Sequence, residues 1–143
     1  NNGMAVSVLS TAVSKCSMPF SDAFIKGILC NFLVCIAVWI SFAAKEVVSK
    51  IVGLFFPIMM FVLCGFEHSI ANMYYISSGL FAKTNATYVQ AATDAGVDLT
   101  NLTWGNFFSK NLLPVTLGNI VGGAICVGCA YWFIYLRKAK KAA

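Results

Sequence analysis

The most informative stretch of this chain reads Gly65-Phe66-Glu67-His68-Ser69-Ile70-Ala71-Asn72-Met73. It places an acid next to the single histidine of the sequence, inside a segment that is otherwise apolar. The hydrophobic residues on both sides predict that this pair lies at membrane depth, where an ionisable residue is costly and by default marks a substrate or proton path. Transport is therefore the first functional hypothesis.

The composition predicts an integral membrane protein. Of the 143 residues, 59% are hydrophobic and 10% are charged, and the mean hydropathy is +0.81. Three apolar stretches, near residues 20–44, 47–82 and 112–136, each reach the roughly 20 residues needed to cross the hydrocarbon core. None has the basic head and processing site of a cleavable signal peptide. We expect residues 1–143 to form a single membrane domain within a longer protein, with 1–14 as the tail of an earlier helix.

The middle apolar stretch is too long for one straight helix across a membrane. Its roughly 36 residues would make a helix of about 54 Å, whereas the hydrocarbon core is about 30 Å thick. Pro57 and Gly65 bracket a segment where helical hydrogen bonds can be interrupted, so we predict two half-helices with a break around residues 61–66. Such a break is tolerated only where it is buried in protein or lines a watery cavity.

The position of the acid and the histidine gives the break a function. Glu67 and His68 are predicted to open the second half-helix, whose amino end presents N–H groups and a partial positive charge to anions. Broken helices that point this end at an anionic substrate recur in transporters.

Lysine and arginine predict the orientation of the spans, because cytoplasmic loops carry the excess of these residues. One side carries Lys45, Lys50, Arg137, Lys138, Lys140 and Lys141. The other side carries Lys15, Lys26, Lys83 and Lys110, diluted by Asp22, Asp94 and Asp98. We therefore expect the carboxyl terminus and the first loop to be cytoplasmic. A basic tail is also typical of segments that bind nucleic acid or anionic lipid, but the topology signal is the simpler interpretation, and nucleic acid is not expected as a partner.

The cysteine and glycine residues are expected to pack helices together and not to bind metals or take part in redox reactions. Cys126 and Cys129 have the spacing of a redox or metal pair, but this spacing is weak evidence inside a helix, so we expect no metal and no cofactor. Cys64, in the predicted break, is expected to face the pore. Gly118 and Gly122 form a small-residue face that lets helices approach closely, either within a protomer or between protomers.

Aromatic residues near the helix ends are expected in the interfacial belts: Trp104, Tyr131, Trp132 and Tyr135.

Three stretches resemble the formate/nitrite transporter family. The stretch 65–73, followed by Tyr74-Tyr75-Ile76, resembles the signature of that family, and Asn31-Phe32-Leu33-Val34-Cys35-Ile36-Ala37-Val38-Trp39 resembles the helix before it. The last helix of the family is similar to Asn106-Phe107, Lys110-Asn111-Leu112-Leu113-Pro114-Val115-Thr116-Leu117-Gly118-Asn119-Ile120-Val121-Gly122-Gly123 and Ala130-Tyr131-Trp132.

The resemblance implies an all-α, aquaporin-like bundle of six spanning helices, two of them broken, in a homopentamer with one pore per protomer. This chain would supply the carboxyl-terminal half, and the other half would either belong to the same longer protein or be a separate polypeptide. The resemblance also implies a multi-pass protein of a prokaryotic plasma membrane, which transports small monovalent anions of weak acids and is not an enzyme. Formate, nitrite and hydrosulfide are the candidate substrates, and formate and hydrosulfide are favoured.

The resemblance carries roles over to individual residues. His68 matches the central pore histidine, and Phe61 matches an apolar constriction. Lys15 matches a basic residue at the outer mouth, where positive charge raises the local concentration of anions. Glu67, Asn31 and Asn72 match polar neighbours: Glu67 and Asn31 are expected to orient the site, and Asn72 to line it.

The chemistry of histidine suggests how an anion could cross. A bare anion pays a prohibitive desolvation cost in an apolar constriction unless its charge is paired or neutralised. Histidine, with an unperturbed pKa of about 6.5, can give the anion a proton or a hydrogen bond, and the sequence leaves both mechanisms open.

Three other classes of function were weighed. An intramembrane acid–base enzyme is disfavoured, because adjacent helical residues point about 100° apart and a single histidine supports no metal cluster. A channel for neutral solutes and a structural membrane subunit that conducts nothing remain the alternatives.

Overall fold

A computed structural model describes residues 2–137, which form six helices and no strand. The helices are α1 (Asn2–Cys16), α2 (Phe20–Ala43), α3 (Val47–Leu63), α4 (Ser69–Ala82), α5 (Ala86–Asp94) and α6 (Trp104–Leu136). The predicted all-α fold with a broken helix is confirmed. Lys138, Lys140 and Lys141, which entered the prediction of orientation, lie outside the described residues.

The helix bounds differ from the predicted spans mainly at α6. This helix begins at Trp104, well before residue 112, because the Thr103 hydroxyl caps its first turn by accepting a hydrogen bond from the Asn106 N–H at 3.1 Å. Hydropathy did not predict this start, because the first turns of α6 contain polar residues. Within α6 the turns widen to π-helix at Phe107–Leu112, Val121–Cys129 and Trp132–Leu136. The expected tail of a helix at the beginning of the chain is α1, which continues to Cys16.

Among residues 2–137, two helices are long and apolar enough to cross a membrane. These are α2, with 24 residues, and α6, with 33 residues, whereas α3 is apolar but shorter, with 17 residues. None of the α3 residues is buried within the described chain. The surface of α3 is therefore left for lipid or for other protein segments.

By their contacts, the described residues divide into two compact units. The first unit contains residues 2–23 and 69–114, and the second contains residues 24–68 and 115–137. Both α2 and α6 contribute to each unit.

In the first unit α1 packs against α4 and α5. The spacing of Leu9, Ala12 and Cys16 places these three side chains on one face of α1, and all are fully buried. Opposite them lie the side chains that complete this core: Ile76, Leu80, Ala92, Leu102 and Phe107.

A loop at residues 95–103 closes the first unit. The Lys83 ammonium group, at the end of α4, donates to the carbonyl oxygens of Leu99 and Leu102, both at 2.9 Å. In the same loop Asp98 accepts hydrogen bonds from the hydroxyl and the N–H of Thr100, which lower the pKa of this exposed carboxyl group. The Lys83 ammonium group thus stabilises the loop at residues 95–103.

The second unit is built on a close approach of α2 and α6. A Cβ atom on Gly118 would overlap the carbonyl oxygen of Phe24, and one on Gly122 would overlap that of Ile28. From the other side, a Cβ atom on Gly27 would lie 2.8 Å from the carbonyl oxygen of Val115. The small-residue face predicted for α6 therefore packs against α2 of the same chain.

Candidate pore site

The break between α3 and α4 starts with a helix stop made by the backbone. The Gly65 N–H donates to the Val62 carbonyl at 3.1 Å, and the Phe66 N–H donates to the Phe61 carbonyl at 3.0 Å. Gly65 has a φ of 63°, in the left-handed region that suits glycine. This pair of bonds around a left-handed glycine is the Schellman motif, which satisfies carbonyl groups at a helix end.

The break spans residues 64–68, slightly later than the predicted 61–66. Pro57 lies inside α3 without ending it, so Gly65 alone sets the stop. Glu67 and His68 lie within the break, and α4 begins one residue later at Ser69. The expectation that Glu67 and His68 open the second half-helix was therefore wrong by one to two residues.

A single asparagine of α6 ties the break to α2. The Asn119 side-chain amide donates to the carbonyl oxygen of Gly27 at 2.9 Å and to that of Glu67 at 3.0 Å. The backbone carbonyl of Asn119 accepts from the Asn31 side-chain amide at 2.7 Å. A further bond runs from the Glu67 N–H to the Lys26 carbonyl at 3.3 Å. Three segments that are distant in sequence thus share one network of amide hydrogen bonds.

This network holds the peptide group that precedes His68. The Glu67 carbonyl bound by Asn119 belongs to the peptide bond between Glu67 and His68, so its orientation is set by α6. The imidazole ring of His68 is half-buried, and its centroid lies 6.1 Å from the centroid of the Phe61 ring. The second unit therefore brings the predicted pore histidine and the predicted constriction together.

The other predicted residues of the second unit take distinct positions. The Glu67 side chain is buried, with 3% of its surface exposed, whereas Cys64 is exposed where α3 ends. Asn31 contacts the backbone of α6 through the bond described above.

In the first unit Asn72 and Lys15 meet through Asn111. The buried Asn72 amide donates to the side-chain oxygen of Asn111 at 2.8 Å, and the Asn111 amide donates to the Lys15 carbonyl at 3.0 Å. The Lys15 ammonium group lies 5.6 Å from the centroid of the Tyr75 ring, a cation–π distance. This second network joins α1, α4 and α6.

The two asparagines that organise these networks, Asn111 and Asn119, received no role from the sequence. Both are buried amides in an apolar helix, and such groups are expected to find hydrogen-bond partners in a membrane protein. That rule marks both residues as structural centres, but it does not name their partners.

Two further features of the described residues bear on the site. Residues 2–137 contain no group of three His, Cys, Asp or Glu side chains placed to hold a metal ion. An open apolar depression of about 500 Å³ lies on the surface of α3 and is lined by side chains from Ile51 to Leu63.

The family of the chain follows from comparison with known proteins. The model of the formate/nitrite transporter family matches residues 1–133. This chain belongs to the formate/nitrite transporter family. The resemblance to this family that was noted in the stretch around His68 is thereby confirmed.

Relatives in the family support this assignment over nearly the whole chain. A probable formate transporter of Methanothermobacter thermautotrophicus is 43% identical over 136 residues, which are 95% of this chain and 43% of that protein. The formate channel FocA of Escherichia coli K12 is 42% identical over 140 residues, which are 96% of this chain and 49% of FocA. The chain thus spans about half the length of these relatives.

Solved structures of the family share the fold. A pentameric formate channel with formate bound matches with a TM-score of 0.82 and 39% identity, over 96% of this chain and 55% of that one. An FNT family ion channel matches with a TM-score of 0.70 and 31% identity, over 90% of this chain and 45% of that one. The aquaporin-like half-protomer expected from the resemblance is therefore the observed fold class.

Proposed function

We propose that this protein forms a membrane channel for small monovalent anions of weak acids, with formate as its substrate. Similar proteins are named as formate channels, and one similar structure carries formate. Nitrite and hydrosulfide have the same charge and a similar size, so they are the competing substrates to test.

The observation that supports this proposal best is the break held by Asn119. Non-helical backbone at membrane depth is tolerated where it is buried in protein or lines a cavity, and here it is fastened by buried amides while His68 remains half-buried beside Phe61. This arrangement offers a titratable donor next to an apolar ring.

We assign the steps of transport to these side chains. Lys15 attracts the anion by its charge, His68 gives the anion a hydrogen bond or a proton, and Phe61 lines the apolar constriction that a neutralised species crosses at lower desolvation cost. Asn72 and Cys64 line the path. Asn31 and Glu67 position the histidine, with the buried Glu67 side chain acting inside the protein.

We also propose the assembly and the orientation of the protein. Five copies form the channel, as in the similar pentameric formate channel. The protein spans the plasma membrane of a prokaryotic cell with its carboxyl terminus in the cytoplasm, because the lysine and arginine residues concentrate at that end.

Flux of labelled formate into liposomes tests the role of His68. We expect His68→Ala to lower the flux of the reconstituted protein by about tenfold or more between pH 5 and 8, since the imidazole donor is gone. His68→Asn keeps an amide donor but cannot titrate. If it conducts without pH dependence, a hydrogen bond suffices for transport; if it fails like His68→Ala, the proton is required.

The control must remove a polar group outside both amide networks. Thr93→Ala on α5 does so, because the Thr93 hydroxyl donates only within its own helix, to the Val89 carbonyl at 2.9 Å, and its flux should match the wild type. Wild-type flux and pH dependence in a well-folded His68→Ala protein would contradict the proposal.

A further inference from the structure

The backbone of Lys15, at the end of α1, is tied to a second helix. Lys15 belongs to the last turn of α1 and is half-buried. A helix leaves its last four carbonyl groups without donors of its own. The Asn111 amide of α6 supplies one, because it donates to the Lys15 carbonyl at 3.0 Å. The point from which the lysine side chain starts is therefore fixed by contact between α1 and α6.

The Asn111 amide is in turn oriented by a third helix. Its side-chain oxygen accepts from the buried Asn72 amide of α4 at 2.8 Å, so its nitrogen is left to face the Lys15 carbonyl. Asn111 is fully buried and lies in the widened turn Phe107–Leu112. All the residues of this network belong to the first unit, so one compact body holds the end of α1 in place.

An aromatic ring of α4 holds the side chain of this lysine. The Lys15 ammonium nitrogen lies 5.6 Å from the centroid of the Tyr75 ring, within the roughly 6 Å over which a ring face attracts a cation. The Tyr74 ring meets the Tyr75 ring edge-on, with centroids 5.7 Å apart and an angle of 67° between the planes. A lysine side chain is flexible and otherwise samples many rotamers. The contact with Tyr75 therefore restricts where the positive charge lies.

An aromatic ring differs from other partners of lysine because it leaves the charge in place. A carboxylate neutralises an ammonium group, and carbonyl oxygens occupy its N–H donors, as those of Leu99 and Leu102 do for Lys83. A ring face attracts the cation through its quadrupole and carries no net charge. The contact with Tyr75 thus defines the position of the Lys15 charge without cancelling it.

We propose that Tyr75 is a positioning residue for the anion, because its ring holds the Lys15 ammonium group in the place from which it attracts incoming formate. This inference rests on the proposed function, in which Lys15 attracts the anion and His68 acts on it later. Tyr75 therefore acts on capture and not on the crossing step. It sets the formate concentration that gives half-maximal flux, and the maximal flux does not depend on it.

The dependence of liposome flux on formate concentration tests this role. Tyr75→Leu should raise the half-saturating concentration about two- to fivefold, which corresponds to the strength of an exposed cation–π contact, and leave the maximal flux unchanged. Tyr75→Phe should match the wild type, because a phenylalanine ring also attracts a cation. Phe81→Leu is the matched control, since it removes an exposed ring of α4 that contacts Trp104, and it should change neither value.

A fluorinated ring separates electrostatic positioning from packing. Fluorine atoms withdraw electron density from the ring face and nearly preserve its shape. Tyr75→trifluorophenylalanine should therefore raise the half-saturating concentration as Tyr75→Leu does, although its ring packs as in Tyr75→Phe. This comparison between two rings of similar shape also decides the matter if Tyr75→Leu does not fold.

The effect of the ring should depend on the presence of the lysine. Lys15→Gln should raise the half-saturating concentration at least as much as Tyr75→Leu, because the charge itself is lost. Adding Tyr75→Leu to Lys15→Gln should change nothing further, since the ring then has no cation to hold. Such non-additivity is expected of two residues in contact that act together.

Two results would contradict this inference alone. Equal half-saturating concentrations in Tyr75→Phe and Tyr75→trifluorophenylalanine would show that the ring acts by packing. An undiminished effect of Tyr75→Leu in the Lys15→Gln protein would show that the ring acts on another group. In both cases the wild type still conducts formate, so the proposed function stands. Absence of formate, nitrite and hydrosulfide flux in the wild type would overturn the proposed function, and this inference with it.

Discussion

At the scale of single residues, the fold depends on amide side chains that reach distant backbone carbonyls. Asn119 offers two N–H donors and uses them on the carbonyls of Gly27 and Glu67, one in a helix and one in the break. Without Asn119 both carbonyl oxygens would lose this donor inside the protein, and side-chain hydrogen bonds between membrane helices contribute about 0.6–2 kcal/mol each. Asn119 is thus the residue through which α6 fixes the peptide before His68.

Replacing Asn119 should therefore weaken the protein at the break. We expect Asn119→Leu to lower the free energy of unfolding by about 1–3 kcal/mol and to reduce formate flux, since the Glu67 carbonyl loses its donor. Asn119→Asp should be worse, because a carboxylate would face two carbonyl oxygens without a proton to donate. Denaturation in detergent followed by tryptophan fluorescence measures the first effect, and liposome flux measures the second.

A matched control for this prediction lies on the same helix. Within residues 2–137 the Thr116 hydroxyl makes no hydrogen bond to α2 or to the break. Thr116→Val should therefore leave stability within about 0.5 kcal/mol of the wild type. A loss in Thr116→Val equal to that in Asn119→Leu would mean that α6 is generally sensitive and that the amide bonds are not special.

At the scale of the helices, glycine allows α6 to approach α2 at backbone contact. We expect Gly118→Ala and Gly122→Ala each to lower the free energy of unfolding by about 1–3 kcal/mol, because the new methyl group meets a rigid backbone carbonyl of α2. Gly128→Ala is the internal control. Its Cβ atom would lie 3.5 Å from the Gly123 carbonyl, an ordinary contact, so this change should be neutral or stabilising by up to about 1 kcal/mol.

The same measurement distinguishes two uses of the small-residue face. If Gly122→Ala left the stability of the isolated protomer intact and only changed the oligomeric mass, the glycines would act between protomers. The observed packing against Ile28 predicts the opposite result, with loss of stability in the protomer itself.

At the scale of the whole molecule, the exposed apolar surface of α3 requires a cover. All α3 residues remain outside the core of the described chain, and other protein segments, the neighbouring copies of the proposed pentamer and the surrounding lipid are the available covers. We expect native mass spectrometry of the protein in a mild detergent to give five times the mass of one chain. A mass of one or two chains under conditions that preserve formate flux would contradict the proposed pentamer.

Much of the fold could be predicted from local sequence patterns. Hydropathy indicated a membrane protein, the excess length of the stretch 47–82 together with Gly65 indicated a broken helix, and the signature around His68 indicated the family. These features are local, because span length, a left-handed glycine and a motif each depend on neighbouring residues. The end of α3 just before Gly65 follows from the same local rule, since glycine accepts the positive φ that the helix stop requires.

The partners of the buried polar groups were decided only by the tertiary structure. Asn111 and Asn119 lie in the same helix, yet Asn111 contacts Asn72 and Lys15, whereas Asn119 contacts Gly27 and Glu67. Which carbonyl of α2 the Asn119 amide reaches depends on the register between α2 and α6, and the close glycine contacts set that register. The sequence alone therefore determined the class of the protein, the break and the candidate histidine. Only the packing of distant helices decided how that histidine is held, because its supporting hydrogen bonds join residues 52 to 92 positions apart, and local sequence patterns do not reveal such partners.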